Sequence, residues 1–241
     1  MGFLWPPPGL RRWSSRVAVP TVGRYGLVQA THPGLRREDG IDTLGFFLIQ
    51  HGRLHSLEEG SYADRVFGRL SDDQMRARPG QGLNSLVWLQ WHMARTEDAA
   101  VNLVVSAGRQ VLDDEWVRRM DVPWRTIGTG MRESDVADLT RRADVEAVLA
   151  YRVAVGRRTQ EVVRSLPHPA WVEILGRSDT ARAAAVGAFA LNTPWADDTG
   201  YKPWQGHSRA AQLASSAIGH NAMHLGEAVT IRSMAGFALG I

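Results

Sequence analysis

"NSLVWLQWHMARTEDAAVNLVVSAG", residues 84–108, is the stretch on which the fold turns. Asn84 stands where an N-cap belongs and Gly108 where a helix stops. Between them lie roughly six turns without Pro or Gly. On such a helix Trp88, Leu89, Thr96 and Ala99 share the face of His92, being three, four or seven positions away. A histidine in that company follows a mainly apolar stripe and points into whatever the helix packs against.

Three further stretches carry the same period. Asp42 is placed to cap the first, in which Leu44, Leu48, His51 and His55 fall at helical spacing beside Phe47 and Leu54, and which extends to about Leu70. In "DVEAVLAYRVAVGRRTQEVVRSL", residues 144–166, Val145, Val148, Val155, Val162 and Leu166 form one face that Arg152 and Gly156 interrupt; Pro167 and Pro169 end it. Ser208 caps the fourth, which runs through about Met234. Smaller pieces lie between. "SDDQ" at 71–74 is a capping box, "VLDDEWVRRM" at 111–120 a short helix, and "DVPWRTIGTGM" at 121–131 a loop. Ser134 caps another helix, "DTARAAAVGAFA" at 179–190 reads as one more, and "TPWADDTGYKPWQG" at 193–206 as a loop. No stretch alternates as a strand would. The expected fold is all-α: a four-helix bundle over residues 42–241, with long crossover connections and small extra helices. Residues 1–41, rich in Pro, Gly and Arg and without period, read as a disordered or loosely attached tail upstream of that domain.

Composition narrows the chemistry. The 241 residues contain no cysteine, so disulfides, zinc ribbons and a thiol nucleophile are excluded, and any metal must rest on His, Asp or Glu. A chain this long buries roughly 70–75% of its unfolded surface and needs no staple. The net charge is +3 and Lys202 is the only lysine. Arg with abundant Ala, Gly and Val marks GC-rich coding, and the arginines are interleaved with Asp and Glu, so no basic stripe for nucleic acid is present. No apolar run approaches the length of a membrane span, the amino-terminal residues lack an export signal, and Pro6 breaks the myristoylation pattern. The expectation is a cytoplasmic protein acting on a small molecule, with no nucleic-acid or membrane partner, and assembled as a homodimer.

"IGHNAMHLGEAVTIR", residues 218–232, sets His220 and His224 four apart, with Glu227 three further on. "HGRLHSLEE" repeats that spacing with His51, His55 and Glu58. Two histidines at i and i+4 project from consecutive turns and can reach one ion at about 2.0–2.1 Å if it is zinc. A third from a facing helix would close three corners and leave a position open, as catalytic sites require. Spacing alone does not rank the two pairs, and each is equally consistent with core histidines.

The block "LNSLVWLQWHMARTEDAAVN", followed some 120 residues later by "GHNAMHLGEAVTIR", resembles the DinB/YfiT-like superfamily, which includes bacterial thiol-dependent S-transferases and mycothiol-dependent isomerase domains. The resemblance spans about residues 43–235. It implies a four-helix bundle holding a divalent metal ion, zinc or nickel, on His92, His220 and His224. It also implies a polar residue where Glu227 stands, whose role is to orient a ligand or to accept the nucleophile's proton. His51 and His55 match no ligand of the family. The implied activity is transfer or addition of a low-molecular-weight thiol, of the mycothiol type given the GC-rich coding, to a small electrophile. Metal-dependent hydrolysis by water and a non-catalytic, metal-stabilised stress-response binding or dimerisation module are the alternatives. Arg95 reads as a surface partner of Glu97 or Asp98 ahead of a group facing an anionic substrate, and Glu227 as equally able to pair with Arg232.

Overall fold

The computed structural model describes residues 42–57, 60–191, 193–197 and 200–239; the tail expected over 1–41 lies outside them. Helix α1 (Thr43–Leu54) starts at Asp42, whose side chain accepts from the Gly45 N–H. It ends well short of Leu70. His55 is already extended, Gly60 takes φ +78°, and Ser61 and Asp64 form a reciprocal capping box that opens a separate α2 (Tyr62–Phe67). Ser71 and Gln74 cap α3 (Asp72–Arg76) in the same way.

Helix α4 (Leu86–Glu97) is capped by Ser85 rather than Asn84 and continues as π-helical turns over Asp98–Val105. Then come α5 (Asp114–Met120), α6 (Glu133–Arg142) and the long α7 (Val145–Ser165), which starts from Asp144 and stops before Pro167. Helix α6 starts after Arg132, two residues earlier than a Ser134 cap would place it. After α8 (Arg177–Ala185), a two-residue hairpin pairs β1 (Ala196–Asp197) with β2 (Gly200–Tyr201), Ala196 opposite Tyr201. Ser208 caps α9 (Arg209–Leu213), which passes through π-helical turns over Ala214–Gly219 into α10 (His220–Met234). The chain is mostly helical and all-α, and α1, α4, α7 and the α9–α10 rod form the bundle. No described helix is long and apolar enough to cross a membrane.

Helix α4 is the axis. It packs on α3, α6, α7 and α10, while its π-helical end meets α7, α8 and α9. Every residue from Ser85 to Val105 is consequently buried, polar ones included. Leu86, Leu89, Trp91 and Met93 are fully buried; truncating such a leucine or methionine to Ala costs about 2–5 kcal/mol. The polar residues need partners in the core, since a buried group without one is costly. Arg95 is therefore no surface residue. It donates to Asp98, to the Tyr151 hydroxyl and to the Arg125 carbonyl. Asp98 also accepts from Tyr151, Asn102 and the backbone N–H groups of Val111 and Leu112, and so ties the loop after α4 to α7.

Candidate metal centre

His92 is 5% exposed and faces α10, as its apolar neighbours require. Trp88 stacks on its ring with centroids 4.7 Å apart. Its Nδ1 lies 2.5 Å from the Ile127 carbonyl, an acceptor, so Nδ1 carries the proton and Nε2 is a bare lone pair. The loop supplying that carbonyl can approach only because residue 128 is glycine. Gly128 has φ +89°, and a Cβ there would lie 2.7 Å from the Trp91 ring and 3.3 Å from His92 Nδ1.

On α10 the four-residue spacing brings His220 and His224 together edge to face, with ring centroids 4.5 Å apart. His224 Nδ1 donates to Glu227 Oε2 at 2.7 Å, and Asn84 donates to Oε1 at 3.1 Å. The carboxylate therefore fixes the His224 tautomer too and leaves its Nε2 bare. Asn84, read from sequence as a cap, serves instead to hold Glu227. Arg232, the alternative partner for Glu227, turns away to the carbonyls of Arg65, Val66 and Ala238. The bond from His224 holds the Glu227 carboxyl below its usual range.

His220 Nε2 lies 3.2 Å from His92 Nε2 and 3.2 Å from His224 Nε2. One N–H can satisfy only one of two bare neighbours, so protons do not account for this convergence. A cation does. Ligands about 2.0–2.1 Å from a common centre stand roughly 3.3–3.4 Å apart at the tetrahedral angle. Burial pushes His92 down to about 4 and His220 down to about 3, each lowered further by the neighbouring imidazoles, so both are neutral near pH 7, as ligands must be. The three side chains fit a divalent ion.

The second histidine pair is brought to a different partner. His51 and His55 point into the core, where both meet Glu97 of α4, and all three are 0% exposed; Glu58 lies outside the described residues. His51 Nε2 lies 2.9 Å from Oε1 and His55 Nε2 2.7 Å from Oε2. Thr159 of α7 donates to Oε1 at 2.7 Å and Asn221 of α10 to Oε2 at 2.8 Å. Arg152, buried beside them, donates to Asn221 Oδ1 at 3.0 Å and to the Leu54 carbonyl at 2.5 Å. Burial favours the neutral carboxyl of Glu97, but His55 and His51 override it and hold the group well below its usual range. His55 itself is lowered by burial to about 4. Gly156 makes room, because a Cβ there would stand 2.7 Å from His55 Nδ1. Arg152 and Gly156 were the interruptions in the apolar face of α7, and they are the sequence signal of this cluster. Glu97 had none beyond its acidity. Among the described residues these two groups, His92–His220–His224 and His51–His55–Glu97, could hold a metal ion.

Against known proteins, the chain matches the DinB superfamily over residues 58–228. No curated protein matches it. A crystal structure of a conserved protein from Enterococcus faecalis aligns with a TM-score of 0.57 at 15% identity, covering 81% of this chain and 98% of that one, a likeness of fold alone. With a match that runs from ahead of α2 to the middle of α10, the chain belongs to the DinB superfamily.

Proposed function

We propose that the chain is a divalent-metal-dependent enzyme that joins a low-molecular-weight thiol to a small electrophile, with His92, His220 and His224 as the metal ligands. The observation that carries this reading is that His220 Nε2 lies 3.2 Å from both His92 Nε2 and His224 Nε2, with the far nitrogens of His92 and His224 already engaged. Neutral imidazoles suit zinc or nickel. Three protein ligands leave a position for an outside group, and partly exposed His220 leaves it reachable. When bound, the ion supplies Lewis acidity that favours the deprotonated form of an incoming thiol.

The chain's own residues hold and aim. Ile127 and Glu227 lock two ligand tautomers, Trp88 walls the site, and Asn84 steadies Glu227. Glu227 already accepts from His224 and Asn84 and is held below its usual range, so it orients His224 rather than carrying a proton. The thiol proton leaves to solvent and sulfur bonds to the electrophilic carbon. That carbon's bond to its leaving group breaks with the electron pair departing on the leaving group, or in an addition its π bond opens and is protonated from solvent. A chain without cysteine takes its sulfur from a cosubstrate, of the mycothiol type.

Metal analysis of the purified protein beside His92→Ala, His220→Ala, His224→Ala and His51→Ala tests the ligand set. The first three lose the ion and the fourth keeps it; the reverse pattern refutes the assignment. Consumption of a model electrophile only when both metal and thiol are supplied supports transfer. Turnover of an ester or amide without thiol would make the enzyme a hydrolase, and no turnover of either would make it a binding module.

A further inference from the structure

The His51–His55–Glu97 cluster invites comparison with the triad, since each joins an H-x-x-x-H pair to one residue of α4. The distances separate them. In the triad, the bare Nε2 atoms of His92 and His224 both face His220 Nε2, which has at most one proton to offer. In the cluster, each oxygen of Glu97 receives two donors at 2.7–2.9 Å, which fills its lone pairs with ordinary hydrogen bonds. Charge separates them too. Ionised Glu97 and the Arg152 guanidinium offset each other in a dry core, and a divalent ion there would leave two positive charges without compensation. The Glu97 carboxylate is satisfied without a metal.

Its connections show what it does. Glu97 binds side chains from α1 (His51) and its C-cap (His55), from α7 (Thr159) and from α10 (Asn221), so one carboxylate joins all four rods of the bundle. Asn221 directly follows His220 on α10, and Glu97 lies five residues beyond His92 on α4. The α4–α10 interface thus carries two neighbouring cross-links, Glu97 to Asn221 at 2.8 Å and His92 to His220 at 3.2 Å. Arg152 grips the other end of the Asn221 amide, so the amide can neither flip nor slide. Resting on the triad as the metal site, we infer that Glu97, acting through Asn221, is a positioning residue for that site: it sets the depth and rotation of α10 against α4 at which His220 meets His92. His51 and His55 serve the same end by holding Glu97 and α1 in place. They touch no triad ligand.

The test compares two variants that each remove one donor from Glu97. Asn221→Ala cuts the link to α10, whereas Thr159→Val cuts a link to α7 only. Both are loaded with zinc for affinity by chelator competition and with cobalt for the visible absorption of the bound ion. Asn221→Ala should weaken zinc binding about 10–100-fold, the range for residues that orient metal ligands, and change the cobalt spectrum. Thr159→Val should lower the melting temperature but leave affinity within about threefold, below that range, and the spectrum unchanged. Equal losses of affinity in both variants would reduce the cluster to plain stability and overturn the inference, as would unchanged affinity in Asn221→Ala. If Asn221→Ala does not fold, Asn221→Asp, which keeps the shape but sets a carboxylate against Glu97, gives the same comparison. A second bound ion in wild type, lost in Glu97→Gln, would overturn it in favour of a second metal site. If wild type takes up no metal, or His92→Ala keeps it, the reading of the triad fails first and this inference falls with it.

Discussion

Gly128→Ala is the sharpest probe of how the fold builds the metal centre. A side chain at φ +89° costs roughly 1–3 kcal/mol in backbone strain. The added Cβ would sit 2.7 Å from Trp91 Cζ3, 3.3 Å from Trp88 Cζ2 and 3.3 Å from His92 Nδ1, and overpacking of that kind adds about 1–3 kcal/mol. Trp91 is fully buried and has nowhere to go, so the loop must lift and carry the Ile127 carbonyl off His92. The expected destabilisation is about 2–6 kcal/mol, a melting temperature lowered by roughly 4–24 °C for a domain of this size. Zinc affinity should fall about 10–100-fold, because the carbonyl no longer fixes the His92 tautomer. Gly130→Ala is the control. It has a similar φ, +74°, but its Cβ would meet only Trp195 Nε1 at 3.8 Å, so it should lose stability without losing metal. Thermal melts and chelator competition on both variants decide the matter. A Gly128→Ala protein that binds zinc as tightly as wild type would refute the argument that this loop aims His92.

Three further expectations follow from the geometry. Glu227→Gln should weaken zinc about tenfold by slackening the hold on His224 Nδ1, and competition with a chromophoric chelator measures it. Asp98→Ala should cost about 3–5 kcal/mol in urea unfolding, since it strands the buried Arg95 charge; a loss near zero would show the cluster is not what holds Arg95. Stability should also fall with acid. Above pH 6.5 His55 is neutral folded or unfolded; below it the unfolded chain takes a proton that the folded cluster refuses until about pH 4. The loss reaches roughly 3 kcal/mol over that window, at 1.36 kcal/mol per unit, and His92 and His220 act in the same sense in metal-free protein. Urea midpoints at pH 7.5, 6 and 5, compared with His55→Gln, read it directly, and parallel pH profiles would refute it.

The long helices were legible because their information is local. Period, Asp42, Ser71 and Ser208 as caps, and Pro167 as a stop all act within a turn of themselves. So was the pairing of His92 with His220 and His224, once resemblance joined two distant blocks. The end of α1 was not, because Leu57 to Leu70 keeps enough apolar residues to look helical while Ser61 and Asp64 restart the chain. Arg95 was misplaced for another reason. Amphipathic reading sends charged residues to water, and α4 has no watery face.

The sequence by itself determined that the protein is helical, where most helices begin, and that any metal would rest on histidine and carboxylate. Only the tertiary structure decided which histidine pair faces which partner. His220 and His224 converge with His92, whose Nε2 the Ile127 carbonyl leaves bare, while His51 and His55 meet a carboxylate already sharing its lone pairs with Thr159 and Asn221. The physical reason is that i, i+4 spacing orients two rings on one helix, whereas the third group, and the proton count of the cluster, come from residues tens to more than a hundred positions away.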